Sequence, residues 1–176
     1  MSRPRRAVIF VVMLVVALAA DQGSKAWART LPVPHGCTVA MMAAQHCGTI
    51  REPVIAGYWD WELAYNDGAA FSNFAGARVL LELIAAAALI AMAVFAWRSA
   101  PEQRVRRLAL GLVAGGTLGN LVDRVRDGAV VDFVRWRVGD HLWPIFNVAD
   151  VVLVIGVALL LLENVLERGR ARTIAA

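Results

Sequence analysis

The sequence predicts an all-α membrane protein with four transmembrane helices, and three observations support this fold class. Of the 176 residues, 59% are hydrophobic and the mean hydropathy is +0.59, above the roughly half that is usual in soluble domains. The hydrophobic residues are concentrated in four runs along the chain. The basic residues lie between these runs and do not form one soluble face, so the net charge of +4 indicates membrane topology and not nucleic-acid binding.

The four runs define a single membrane-embedded domain. The predicted spans lie at about residues 7–27, 79–97, 108–122 and 143–162. The first run is unbroken only over Ala7–Ala20, so a cleavable signal peptide is an alternative interpretation of it. The run continues to Trp27 through Asp21 and Lys25, which are four residues apart and can pair on one helix face. A retained helix is therefore favoured.

The third and fourth runs carry two further helix signals. Gly111, Gly115 and Gly119 recur at four-residue intervals, a spacing that allows neighbouring helices to approach closely. Packing within the chain is favoured over homodimerisation as the use of these glycines. Pro144 suits the first turn of the fourth helix, where its missing N–H is not needed.

The distribution of basic residues predicts the orientation in the membrane. Ten of the 18 Lys and Arg residues flank the same ends of the predicted spans: Arg3, Arg5, Arg6, Arg98, Arg104, Arg106, Arg107, Arg168, Arg170 and Arg172. By the positive-inside rule both termini are then cytoplasmic. Residues 30–76 face outward, and their prolines, glycines and alternating Trp59–Tyr65 stretch predict short strands and turns. This loop contains Cys37 and Cys47, and the sequence favours neither a disulfide between them nor two free thiols.

The stretch from Gly111 to Asp150 carries the candidate chemistry. It contains five aspartates: Asp123, Asp127, Asp132, Asp140 and Asp150. Asp150 is followed at once by an apolar run, and an ionisable group at the mouth of a membrane helix indicates a functional site.

The three His and two Cys lack zinc-site spacing, so no metal or other cofactor is expected. No serine lies in G-x-S-x-G, and Cys47 beside His46 is a weak candidate nucleophile.

A pair of carboxylates is therefore the chemically competent set. Two carboxylates a few Å apart do not both ionise readily, so one keeps a proton while the other acts as a base. Such a pair activates water against a peptide carbonyl without a metal or a covalent intermediate. The residue types alone do not decide which of the aspartates form the pair.

Five segments, in chain order, resemble a known family. They are DQGSK at 21–25, NDGAAF at 66–71, GGTLGNLVDR at 115–124, GAVVDF at 128–133 and FNVAD at 146–150. The chain is similar in these motifs, and over nearly its whole length, to the lipoprotein signal peptidases (signal peptidase II), integral-membrane aspartyl endopeptidases of bacteria. The resemblance implies a four-helix membrane enzyme with a small extracytoplasmic β-structure after the first helix and a short extracytoplasmic helix between the third and fourth.

The resemblance also implies roles for single residues. Asp132 and Asp150 would form the catalytic pair, and Asp123 is the alternative to Asp132. The residues expected to bind substrate or support the pair are Asn66, Asn120, Asp123, Arg124, Asn147, Asp21 and Lys25. Asp127 and Asp140 are interpreted as solvated loop charges.

The implied activity is removal of the signal peptide from prolipoproteins, with the cut just before a cysteine that carries a diacylglyceryl group. The expected partners are these prolipoproteins and membrane lipid, without nucleic acid. The protein is expected to act as a monomer in the bacterial inner membrane, with its site near the outer leaflet.

Two other classes of function compete with this one. A proton-coupled transporter also carries intramembrane acids, but it predicts acids near the midplane and a repeat of the helix pattern. The acids here cluster at one boundary, and no such repeat is evident. A structural scaffold packed through its glycines does not account for Asp150 in an apolar helix.

Overall fold

The computed structural model describes residues 3–44, 46–67 and 77–175. Within them, four long helices pack as a bundle, and a four-stranded sheet of order β1-β2-β3-β4 lies against it. The elements are α1 (Arg3–Ala28), α2 (Val39–Ala43), β1 (Arg51–Ile55), β2 (Trp59–Asn66), α3 (Ala77–Arg98), α4 (Arg104–Asp127), β3 (Val130–Val138), β4 (His141–Leu142) and α5 (Val148–Ala175).

Three of the long helices are suited to cross a bilayer. In the described part of the chain they are Ala7–Ala28, Val79–Arg98 and Val148–Glu167. Many of their apolar side chains are exposed on the surface of the bundle, as is typical of residues that face lipid. Leu83 is 62% exposed and Val154 is 69% exposed. The chain is therefore a membrane protein. A fourth span at 108–122 stays a prediction, because α4 carries charged residues near both ends.

Helix α4 lies at the centre of the bundle, because its glycines allow close approach on two sides. A Cβ added to Gly111 or Gly115 would lie 2.6 Å from an atom of α1. On the other side, a Cβ on Gly116 would lie 2.7 Å from the carbonyl oxygen of Ala149 in α5. The prediction that these glycines pack within the chain is confirmed.

We expect Gly115→Ala to destabilise the bundle by about 1–3 kcal/mol, the usual range for overpacking. The new methyl group would lie 2.6 Å from the Cβ of Ala17 and 2.7 Å from the backbone oxygen of Leu14, and a helix backbone does not yield easily. Gly23→Ala is the matched control, since nothing lies within 4 Å of its Cβ position. Thermal unfolding of the purified variants in one detergent provides the measurement; equal melting temperatures for both would contradict the packing described.

The sheet places side chains of the outward loop beside one end of the helix bundle. Strand β2 pairs antiparallel with both β1 and β3, and its Ala64 lies opposite Asp132 of β3. Leu63 and Tyr65 of β2 are buried with Val131 and Phe133 of β3 in one hydrophobic cluster. This cluster fixes the first half of β3, and with it Asp132, directly after α4.

The connection between α4 and α5 differs from the expected short helix. Residues 128–147 are all described, and they form β3, β4 and turns without any helix, so that prediction is wrong. The β-branched and aromatic run of β3 favours an extended strand, and pairing with β2 satisfies its backbone. In the described residues the short helix is α2, which lies in the first loop.

Helix α5 begins at Val148 and not at Trp143, so Pro144 lies outside the helix and its predicted place in the first turn is wrong. The start is set by a reciprocal cap. The Oδ1 atom of Asn147 accepts from the backbone N–H of Asp150 at 3.0 Å, and Oδ2 of Asp150 accepts from the N–H of Asn147 at 3.1 Å. This is a capping box with aspartate at the third helical position, and it holds Asp150 in the first turn.

The alternatives for the two cysteines are resolved by the structure, in which Cys37 and Cys47 form a disulfide. The bond closes a loop around α2, whose Met42 is buried against the cluster of β2 and β3. The loop is thereby held on the sheet.

Candidate active site

Asp132 and Asp150 are brought together by a β-bridge between β3 and the residues before α5. The N–H of Phe146 donates to the carbonyl of Val134 at 3.1 Å, and the N–H of Val134 donates to the carbonyl of Phe146 at 2.9 Å. Asp132 precedes this bridge by two residues, and Asp150 follows it by four. Asp132 is buried, whereas Asp150 is partly exposed.

Three asparagines hold the two carboxyl groups. Asn147 contacts both, because its Nδ2 donates to Oδ1 of Asp132 at 2.7 Å while its backbone N–H donates to Asp150. Asn66 donates to Oδ2 of Asp132 at 3.1 Å. Asn120 donates to Oδ1 of Asp150 at 3.1 Å. Each of the four carboxyl oxygens thus accepts a hydrogen bond, which fixes the orientation of both groups.

The surroundings of Asp132 favour its protonated form. Burial raises the pKa of Asp132 to about 7, and the negative charge of Asp150 acts in the same direction. The hydrogen bonds from Asn66 and Asn147 and the charge of Lys25 lower the pKa, but they do not outweigh burial. Asp132 therefore keeps a proton up to about neutral pH, beside a second carboxyl group.

A fully buried lysine lies behind the pair. The Nζ atom of Lys25 is 2.9 Å from Asp21 Oδ2 and 2.8 Å from Asp123 Oδ2, and it donates to Oδ1 of Asn120 at 2.8 Å. These oxygens match the three donors of an ammonium group. Lys25 therefore fixes the amide that contacts Asp150 and pairs with two buried acids.

The two acids that flank Lys25 also fix the backbone of the elements that carry the pair. Asp21 accepts from the N–H of Ala149 at 2.9 Å, in the first turn of α5. Asp123 accepts from the N–H of Val131 at 3.2 Å, next to Asp132. Asp123, the sequence alternative to Asp132, thus bonds to Lys25 and to the backbone of β3. Close by, Gly119 leaves the space that the Asp21 carboxylate occupies.

The remaining candidate, Arg124, lies on α4 one turn after Asn120. Its guanidinium donates to the backbone carbonyl of Asn120 at 3.4 Å. The nine candidate residues therefore lie at one end of the bundle, on α1, β2, α4, β3 and the start of α5.

Sequence reasoning did not find three residues of this network. Arg29 pairs with Asp123 at 3.2 Å and with Asp127 at 2.8 Å, so the interpretation of Asp127 as a solvated loop charge is wrong. Gln22 donates to Asp21, to Asp123 and to the carbonyl of Gly119. The sequence does contain a signal for these ion pairs. Arg29 follows Lys25 by four residues, and Asp127 follows Asp123 by four, so each helix carries two like charges one turn apart on the same face.

Two grooves lie near the pair. The first, which we call the polar groove, has a volume of about 410 Å³ and is lined by Glu62, Tyr65, Asn66 and Arg135 among others. The second, the apolar groove, has a volume of about 330 Å³. It begins at Asp150 and is lined by Trp136, Trp143, Phe146, Val151, Val154 and Ile155. The apolar groove therefore reaches Asp150 itself, and the polar groove reaches Asn66, which donates to Asp132.

Across the described part of the chain, no group of three or more His, Cys, Asp or Glu side chains is placed to hold a metal ion. What the site offers is paired carboxyl groups, amide donors and a buried cation. Fold and site together define a membrane-embedded protein in which two aspartates, Asp132 and Asp150, are held by one asparagine.

Comparison with known proteins identifies the family. The model of the signal peptidase (SPase) II family matches residues 13–166, and the chain belongs to that family. It is accordingly a protease of the aspartyl type.

Similar proteins agree with this assignment. The chain is 39% identical over 162 residues to a lipoprotein signal peptidase of Xylella fastidiosa, covering 89% of each chain. It is also 39% identical over 160 residues to one of Xanthomonas campestris pv. campestris, covering 87% of each. Two solved structures described as bacterial membrane enzymes superimpose with TM-scores of 0.73 and 0.70, at 29% and 27% identity. The first superposition covers 88% of this chain and the second covers 92%, and each covers 90% of the other protein's chain.

Proposed function

We propose that this protein removes the signal peptide from prolipoproteins that carry a diacylglyceryl group, and that it cuts just before the lipidated cysteine. The names of the similar Xylella and Xanthomonas proteins support this substrate class. The observation that carries the mechanism is Asn147, which contacts Asp132 and Asp150 at once. It supports a pair that works as one unit.

In the proposed mechanism, Asp150 acts as the base and Asp132 as the acid. Asp150, which is partly exposed, takes a proton from a water molecule as the water oxygen attacks the scissile carbonyl carbon. Asp132, protonated up to about neutral pH, gives its proton to the carbonyl oxygen. A tetrahedral diol results. Its collapse returns a proton to Asp132, and the proton held by Asp150 passes to the departing amine nitrogen, which restores the starting state.

The other residues of the site have positioning roles in this proposal. Asn66 and Asn147 orient Asp132, and Asn120 orients Asp150. The supporting shell of Asp21, Lys25 and Asp123 fixes Asn120 and the backbones of α5 and β3 through the contacts described above. Arg124 is suited to hold the backbone of an extended substrate, because a guanidinium donates in a fixed planar geometry.

We further propose a four-span monomer in the bacterial inner membrane, with both termini cytoplasmic and the site near the outer leaflet. Residues 108–122 form the fourth span, and their place between α1 and α5 supports this. The ten basic residues at the opposite ends of the spans support the orientation.

Cleavage of a defined substrate tests the function. Purified protein in detergent is incubated with a prolipoprotein peptide whose cysteine carries a diacylglyceryl group, and with the same peptide unmodified. We expect mass spectrometry to show a product that begins at the lipidated cysteine, and no cleavage of the unmodified peptide. Absence of cleavage, or a cut at another bond, would contradict the proposal.

The pH dependence of cleavage should follow the proton of Asp132. Because the acid must be protonated, we expect kcat/KM to fall as pH rises through about 7. Asn66→Ala removes a hydrogen bond that stabilises the ionised form, so the pKa of Asp132 should rise further and the basic limb should move to higher pH. Asp140→Asn, a change at an exposed turn residue, is the control that leaves the limb in place. A limb that does not move in Asn66→Ala would contradict the assignment of the acid.

A further inference from the structure

We propose that a pocket at the end of the bundle opposite the carboxyl pair binds the headgroup of an anionic phospholipid. This pocket, which we call the basic pocket, has a volume of about 320 Å³ and is lined by side chains of α3, α4, α5 and the loop between α3 and α4. From Arg106 in its lining to Asn120, which contacts Asp150, α4 rises about 21 Å. The basic pocket is therefore separate from the candidate active site.

The lining of the basic pocket has an apolar part and a charged part. Phe95, Leu110 and Leu160 form the apolar part, and all three lie within the predicted spans. Arg98 follows Phe95 by three residues and Arg106 precedes Leu110 by four, so both arginines lie just beyond the span ends. The pocket thus passes from the hydrocarbon level to the headgroup level. A phospholipid has the same order of groups, with acyl chains below a charged head.

Unbalanced positive charge gives this end of the bundle a preference for an anion. Arg107, on α4 one turn before Leu110, is fully buried and donates to the carbonyls of Ala100 and Pro101 at 2.7 and 2.8 Å. Within residues 3–44, 46–67 and 77–175, no carboxylate pairs with Arg107 or with Arg98, and the Nε atom of Arg107 has no hydrogen-bond partner. A buried cation without a counter-charge is unfavourable, so an anion bound nearby is stabilised.

The two acids beside the basic pocket are already engaged, and they fix its wall. The guanidinium of Arg106 is 3.1 Å from Glu163 and 2.8 Å from Glu167. The side chain of Gln103 also donates to Glu167, at 2.8 Å. These contacts join α4 to α5, so the pocket is formed without a ligand. Arg98 is exposed and is free to donate to a phosphate oxygen, as arginine does in a fixed planar geometry.

The combination of charge and position identifies the occupant as a lipid. A free phosphate ion would use only the arginines and leave the apolar part of the pocket in contact with water. In the proposed orientation this end of the bundle is cytoplasmic, and basic pockets between membrane helices on that side bind anionic headgroups. The inference does not depend on what the carboxyl pair cleaves.

The test uses the purified full-length protein in detergent, with phosphatidylglycerol, phosphatidylcholine of the same acyl chains, or inorganic phosphate added. Native mass spectrometry measures lipid binding, and thermal unfolding measures stabilisation. We expect phosphatidylglycerol to bind more tightly than phosphatidylcholine and to raise the melting temperature, and inorganic phosphate at the same concentration to have no such effect. Arg98→Gln should weaken phosphatidylglycerol binding about fivefold, the effect of one arginine near an anionic headgroup.

Arg51→Gln is the matched control, because Arg51 lies on β1 at the other end of the molecule and is 43% exposed; its lipid affinity should equal that of wild type. Phe95→Ala, at a position 62% exposed, is a second variant and should weaken the binding of phosphatidylglycerol through the apolar part. Equal affinity for the two lipids, or unchanged affinity in Arg98→Gln, would overturn the inference. Equal stabilisation by inorganic phosphate would show an anion site that does not select lipid, and would overturn it too.

Discussion

Replacing Asp132 or Asp150 by asparagine is expected to lower cleavage about 10³-fold or more and to leave the fold intact. An amide has nearly the shape of a carboxyl group, but it neither takes a proton from water nor gives one to a carbonyl oxygen. Removal of a catalytic acid or base typically lowers rates by about 10²–10⁴-fold. The larger end of this range is expected here, because the two groups depend on each other.

The measurement is the initial rate of prolipoprotein cleavage, with thermal unfolding as the check on folding. Asp140→Asn is the control, since Asp140 is exposed in a turn. Asp123→Asn tests the alternative pair and should lower activity less. Asp123 pairs with Lys25 and accepts from the backbone N–H of Val131, so its role is structural. Full activity in Asp132→Asn or Asp150→Asn, or a greater loss in Asp123→Asn, would contradict the assignment.

Lys25→Met is expected to have the largest effect on stability. Lys25 is fully buried between Asp21 and Asp123, so its loss leaves two acids buried around an apolar side chain. Removing one partner of a buried ion pair typically lowers the free energy of unfolding by about 3–5 kcal/mol. Cleavage should also fall at temperatures where the variant is folded, because Asn120 loses the nearer of the two donors to its Oδ1 atom.

Unfolding in a single detergent measures this effect. Arg51→Met is the control: Arg51 is 43% exposed, and its partner Glu62 keeps Arg135, so a change of about 0–1 kcal/mol is expected. The double variant Lys25→Met/Asp123→Asn removes one of the buried charges as well and should be more stable than Lys25→Met alone. A Lys25→Met protein as stable as wild type would contradict the network described.

Hydropathy predicted most of the helical framework, because long apolar runs have few other stable structures. The span predicted at 79–97 is α3, Ala77–Arg98. The four-residue spacing of Asp21 and Lys25 alone predicts that they pair, and the Nζ and Oδ2 atoms lie 2.9 Å apart. These features depend on residues close in the chain, where helical periodicity decides which side chains meet.

Features that depend on distant segments were harder to predict. Strand β3 needs β2, some 70 residues earlier, to satisfy its backbone, so its β-branched and aromatic run favours a strand without identifying the partner strand. The start of α5 did have a local signal in the capping spacing of Asn147 and Asp150. Only the resemblance to the family favours Asp132 over Asp123 at the level of sequence, since either lies near the end of α4.

The most direct test of a shared carboxyl pair is the cleavage rate of the double variant Asp132→Asn/Asp150→Asn beside the two single variants. Groups that act as one unit lose their whole effect when either is removed. All three variants should therefore show the same residual rate. A single variant that retains substantial activity, with a further large loss in the double variant, would show that the two aspartates act independently and would contradict the mechanism.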